Sequence, residues 1–161
     1  MKILTHPIDI ENAMTWFTLA IVEARNHATC HRSKCGSVIV DCYGQFLATG
    51  FNSMPCNEQT TCFKDTLGSG FKSDKTCCVH AEQRAIMNAL NYHGDLIKGS
   101  RLYFIRLDEE GNPKKSGKPY CTICSKMALD VGIAEFVLWH EEGITVYDTK
   151  EYNELSFQFG K

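Results

Sequence analysis

The stretch "VHAEQRAIMNALNYHG", residues 79–94, sets Ala81, Ala85, Ile86, Ala89 and Leu90 at the three-and-four spacing of one helical face. Gly94 offers that helix a stop. Toward the C-terminus, "SRLYFIRLD" (100–108) is rich in aromatic and branched residues and reads as a strand. The polar "EEGNPKKSGKPY" (109–120) reads as a loop, "CTICSKMALDVG" (121–132) as a helix ending near Gly132, and "IAEFVLWH" (133–140) as a further strand. "GITVYDTKEYNELSFQFGK" (143–161) is expected to add a short strand and a terminal helix.

Toward the N-terminus, residues 52–76 lose periodicity and gain Gly, Ser, Asn, Asp and Lys, the mark of a long loop. Its "LGSG" (67–70) lacks the Lys-Ser/Thr of a phosphate loop and reads as linker. Before it, "CGSVIVDCYGQFLATGFN" (35–52) is two apolar runs around a turn at Tyr43 and Gly44, hence a hairpin. "DIENAMTWFTLAIVEARNHA" (9–28) carries Ile10, Ala13, Met14, Phe17, Ala20, Ile21 and Ala24 at helical spacing, with Asp9 as candidate N-cap. Alternating strands and helices predict right-handed crossovers, later strands running parallel, and helices on both sheet faces. The expected fold class is α/β: a three-layer α/β/α sandwich around a central mixed five-stranded sheet.

A chain of 161 residues is expected to fold as a single domain, 1–161, around one core. Lys and Arg total 17 against 19 Asp and Glu, a net charge of -2 that disfavours nucleic acid and anionic membranes as partners, although a local basic patch can hide in that sum. The N-terminus has neither a continuous apolar run nor a cleavage site, and nowhere do eighteen apolar residues follow one another, so no membrane segment and a cytoplasmic location are expected. The nine cysteines are odd in number. That argues against a disulfide framework and for thiols as ligands or buried fillers.

Cys121 and Cys124 stand as C-x-x-C at a helix start, where the i, i+3 spacing points both sulfurs one way. Alone, that pair is ambiguous between a redox dithiol, a metal clip and a coincidence. His80, at the start of another helix, supplies a third donor. A His-Cys-Cys set suits tetrahedral zinc and leaves the fourth position open for water, as catalytic sites do. Glu82 sits two positions beyond His80, able to lie beside that water as a proton shuttle without ligating the ion. Helix N-termini directed at the site favour the thiolates.

"HAE" with "CTIC" 41 residues after His80 resembles the H-x-E and P-C-x-x-C signature of the cytidine and deoxycytidylate deaminase superfamily. "GSVIVDCYGQFLATGFNSMP" is similar to that family's hairpin, "CCVHAEQRAIMNAL" to its catalytic helix, and "SKMALDVGIAEFVLW" to its second zinc helix and following strand. The resemblance spans about Trp16 to Trp139. It implies one zinc held by His80, Cys121 and Cys124, with Glu82 relaying a proton from water to the ring nitrogen and then to the departing amine. Attack at C4 of a cytosine ring would give uracil and ammonia, the work of a hydrolase on a cyclic amidine C–N bond. Asn52 would contact the sugar or base, or else cap a turn, and the Ala81 backbone N–H would meet the ring carbonyl.

The sequence departs from the pattern at Tyr120, which stands where relatives carry Pro immediately before the first zinc cysteine; it either lines the pocket or packs. Deoxycytidylate deaminases are the most similar branch, so conversion of dCMP to dUMP is the leading expectation. Arg32, Lys34, Lys64, Lys72 and Lys75 are candidates to meet a 5′-phosphate. Rivals are deamination of a base in RNA or DNA, deamination of another amino-heterocycle such as guanine, and a zinc-stapled binding domain without turnover. Cys30, His31, Cys56, Cys62, Cys77 and Cys78 are candidate ligands for a second, structural zinc. The resemblance also implies a small nucleotide or nucleoside as partner, and a homo-oligomer.

Overall fold

In the computed structural model, residues 1–30, 32–58, 62 and 78–159 are described. Most of the 52–76 loop, with its "LGSG", Lys64, Lys72 and Lys75, therefore lies outside the described residues, as do His31 and Cys77. The chain runs β1 (Lys2–Ile3), α1 (Pro7–His27), β2 (Cys35–Val40), β3 (Phe46–Phe51), a 3-10 turn (Pro55–Asn57) and α2 (Ala81–His93). It continues through a second 3-10 turn (Gly94–Leu96), β4 (Arg101–Leu107), β5 (Pro113–Lys114), α3 (Thr122–Asp130), β6 (Glu135–His140), β7 (Gly143–Asp148) and α4 (Thr149–Gln158). The sheet is ordered β1-β7-β6-β4-β2-β3, with β5 paired to β4. Five strands are six or seven residues long, and two-residue β1 and β5 are appended to them.

β4 and β6 run parallel across α3, as expected of a crossover. β7 does not continue that pattern. It pairs antiparallel with β6, His140 opposite Gly143, because only Glu141 and Glu142 separate the strands and two residues can close only a hairpin. α1 also begins earlier than Asp9, at Pro7 after His6: proline's fixed φ suits a helix's first position and leaves Asp9 inside the first turn. Gly94 follows α2 in right-handed geometry and leads into the 3-10 turn.

Strand alternation builds two cores on one sheet. Tyr103, Ile105 and Leu107 of β4 join Val38, Val40, Val137 and Val146 beneath α1, whose Ala13, Phe17, Ala20, Ile21 and Ala24 are buried. Phe17 meets the Tyr103 ring edge-on, centroids 5.5 Å apart. Leu102 and Phe104 face the other way, into a core with Ala85, Ile86 and Ala89 of α2, Ala128 of α3 and Tyr152 of α4. Tyr152 stacks on Phe136 at 4.1 Å.

Two glycines let helices lie close on opposite faces. A Cβ on Gly36 would come within 1.9 Å of Ala20 O in α1, and one on Gly50 within 2.2 Å of Ala81 O and 2.3 Å of Ala85 N in α2. These neighbours are backbone atoms and cannot swing aside. Gly50→Ala is expected to lower unfolding stability by about 3 kcal/mol, the upper range of overpacking costs, read as a lower urea midpoint.

Candidate metal centre

His80 and Cys121 are the residues immediately before α2 and α3, both in extended geometry. The His80 backbone N–H donates to Gln83 Oε1 at 3.1 Å, which steadies the helix start. Cys124 follows in the first turn of α3 and is fully buried. His80 Nδ1 lies 3.3 Å from Cys124 Sγ and 3.4 Å from Cys121 Sγ, and the sulfurs are 3.2 Å apart. That triangle approaches the edge of about 3.6 Å that tetrahedral bonds of about 2.0–2.3 Å require. Among the described residues it is the only such cluster of three or more His, Cys, Asp or Glu side chains. One imidazole and two thiols in this geometry fit a catalytic zinc, with a coordination position left open.

The thiols are already tuned as a pair. The hydrogen bond between the two sulfurs holds Cys121 down to about 4, helped by His80 and opposed by burial. The same bond, with burial, pushes Cys124 well above its ordinary value. Glu82, in the first turn of α2, is 3 % exposed. Burial pushes its carboxyl up to about 7, the negative Cys121 adds to the rise, and His80 opposes it. A bound cation would draw it back down, since an opposite charge favours the ionised form.

These groups open on a cavity of about 410 Å³ whose wall includes Asn52, Ala81, Glu82, Phe104, Arg106 and Tyr120. Ala81 is the first residue of α2, where a helix leaves its N–H without an intrahelical acceptor. Asn52 reaches the wall, yet most of its amide is spoken for. Its Oδ1 accepts from Cys35 N at 2.7 Å and its Nδ2 donates to Ser33 O at 2.7 Å. Such bonds make it a staple across the 33–35 segment, with one N–H and one lone pair left over. Asn52→Ala is expected to cost about 2 kcal/mol, because the Cys35 N–H is stranded in a buried site; denaturant unfolding would read it.

Tyr120, 41 % exposed, lines the cavity. Its hydroxyl accepts from Arg106 Nη2 at 2.5 Å, the guanidinium lies 5.5 Å from its ring centroid, and Phe159 lies 5.8 Å away. Arg32 also lines the cavity, whereas Lys34 is exposed and donates to Arg25 O at 3.5 Å. Sequence reasoning missed Arg106. The signal was the period of two: Leu102 and Phe104 face α2, and Arg106 is next on that side.

Of the candidates for a second metal, Cys30, Cys62 and Cys78 line the same cavity, and Cys56 is exposed on the 3-10 turn. Among the described residues these thiols form no group of three ligands.

The family model for the cytidine and deoxycytidylate deaminase zinc-binding region matches residues 10–140. The chain belongs to this deaminase family. Its fold is shared with cytidine deaminase from Burkholderia pseudomallei, 17% identical, with a TM-score of 0.53 over 92% of this chain and 96% of that one. Cytidine deaminase from Mycobacterium leprae, 16% identical, aligns over 98% of this chain and 100% of that one with a TM-score of 0.48. At 17% identity the first likeness speaks to the fold alone. A search of curated proteins returned no match. Among the described residues, no helix is long and apolar enough to cross a membrane.

Proposed function

We propose that this deaminase family member hydrolyses the exocyclic C–N bond of a cytosine-type nucleotide or nucleoside, dCMP to dUMP foremost, with release of ammonia. One observation carries the reading: a buried carboxyl, Glu82, stands beside a His-Cys-Cys donor triangle on the wall of a cavity of about 410 Å³. That volume falls in the range of about 300–1,000 Å³ typical of small-ligand sites. When bound, zinc supplies Lewis-acid charge and makes water acidic enough to attack at neutral pH. His80, Cys121 and Cys124 hold it. Glu82 takes a proton from the attacking water and passes it to the ring nitrogen. As the C4–N bond breaks, a second proton goes to the leaving amine, so that water ends as the new carbonyl oxygen and two hydrogens on product and ammonia.

The first N–H of α2, at Ala81, donates to the ring carbonyl, and Tyr120 closes one side of the cavity. Asn52 contributes chiefly by holding residues 33–35 in place, with its spare donor directed to the substrate sugar. The reading takes residues 1–161 as one cytoplasmic domain that self-associates; Met87 and Leu90, one turn apart on α2, are exposed apolar residues in support.

The test is ammonia release by zinc-loaded protein over cytidine, deoxycytidine, their monophosphates, guanine, adenine and cytosine-bearing oligonucleotides. Turnover of a cytosine monomer is expected. Turnover of oligonucleotides alone, or of guanine alone, would falsify the small-pyrimidine reading.

A further inference from the structure

Beside the metal cavity lies a smaller one of about 170 Å³, and the two share Phe104, Arg106 and Tyr120 as a common wall. It is too small for a second nucleoside by the usual size of ligand pockets, yet several times the volume of a water molecule. Its rim carries Arg106, Lys114, Lys115 and Lys118, and among the described residues no Asp or Glu lines it. Lys115 is committed elsewhere, its Nζ 3.2 Å from the Trp139 ring centroid. Arg106 lies over the Tyr120 ring at the junction with the metal cavity, and Lys114 and Lys118 face no ring among the described residues.

Two features suit this annex to an anion. Arg106 is partly buried against neutral partners, the Tyr120 phenol and the Cys35 thiol, and no ion pair with a carboxylate is found for it among the described residues. Arg106 and Lys114 are direct cross-strand partners on β4 and β5, so two like charges stand opposite each other, an arrangement that repels unless an anion lies between them. A guanidinium fork and two ammonium groups are what a tetrahedral oxyanion takes up.

We propose that this annex binds the phosphate of the substrate, so that the protein acts on nucleoside monophosphates in preference to nucleosides. The proposal rests on the deaminase reading for the identity of the base, and it names the phosphate contacts: Arg106 first, then Lys114 and Lys118. Tyr120 holds the guanidinium at the junction of the two cavities. The residue that replaces the family's proline thereby becomes the support of the phosphate anchor.

The test uses the reaction products, so that binding is read without turnover. Zinc-loaded wild type is titrated calorimetrically with dUMP and with deoxyuridine. The dUMP is expected to bind about 10- to 100-fold tighter, the worth of charge-assisted hydrogen bonds to a phosphate. Arg106→Gln should collapse that ratio toward unity, Arg106→Lys should restore part of it, and inorganic phosphate should compete with dUMP in the wild type. Circular dichroism checks that each variant is folded. Equal binding of dUMP and deoxyuridine by wild type, or an unchanged ratio in Arg106→Gln, overturns the annex. Binding of a cytosine-bearing oligonucleotide far tighter than dUMP, with no monophosphate preference, overturns it in favour of a strand phosphate. If the phosphate preference holds but no cytosine substrate releases ammonia, the annex stands and the deaminase reading falls.

Discussion

Glu82→Gln is expected to lower kcat/KM for the best cytosine substrate by about 10²- to 10⁴-fold, the usual worth of a positioned proton carrier. Zinc content should stay at the wild-type level, because Glu82 is not one of the three donors. Glutamine keeps the shape of the buried side chain and cannot accept the proton from water. Stability should hold or rise, since burial disfavours the ionised carboxylate that the substitution removes. The measurements are steady-state ammonia release, metal analysis and thermal melting on the same preparation. Undiminished turnover would show that the carboxyl carries no proton in the reaction, and a parallel loss of zinc would show that it holds the ion instead.

The second large effect lies in the ligands. Cys124→Ser should take zinc from about one equivalent to near none and abolish turnover, because a thiolate donor inside a fully buried site is replaced by a hydroxyl that stays protonated. The melting temperature should fall as well. A ligand held at a thousand times its dissociation constant stabilises by about 4 kcal/mol, and that contribution disappears with the metal. Chelation of wild type should reproduce the lowered melting temperature, and added zinc should reverse it in wild type alone. Full zinc retention by Cys124→Ser would contradict the site. Two equivalents in wild type against one in the variant would establish a second metal and turn attention to Cys30, Cys62, Cys77 and Cys78.

The parts of the fold that could be read in advance are those whose side chains repeat. The helix from Ala81 and the helix from Thr122 were legible because apolar spacing and the ligands themselves mark their starts. The direction of β7 was misjudged because alternation of element types was extended one strand too far; the two-residue gap between His140 and Gly143 already demanded a hairpin. Pro7 likewise outweighs Asp9 as a start signal, since a fixed backbone angle is a stronger constraint than a replaceable cap. In the site, the donor triangle was legible from spacing, whereas Arg106 was hidden in a strand that looks purely structural. Asn52 shows the limit of a motif: the residue type is visible, but that its amide is spent on Ser33 and Cys35 emerges only from the packed chain.

Because His80 and Cys121 stand immediately before two packed helices and Cys124 in the first turn of one, the helix starts themselves hold the bond-breaking apparatus together. On the proposed reading, selectivity lies with the annex and reactivity with the donor triangle. Transplanting residues 106–120, with Arg106, the lysines and Tyr120, into a relative that handles uncharged nucleosides is a rational route to redirecting its diet, and the reverse exchange should relax the monophosphate preference proposed for this protein.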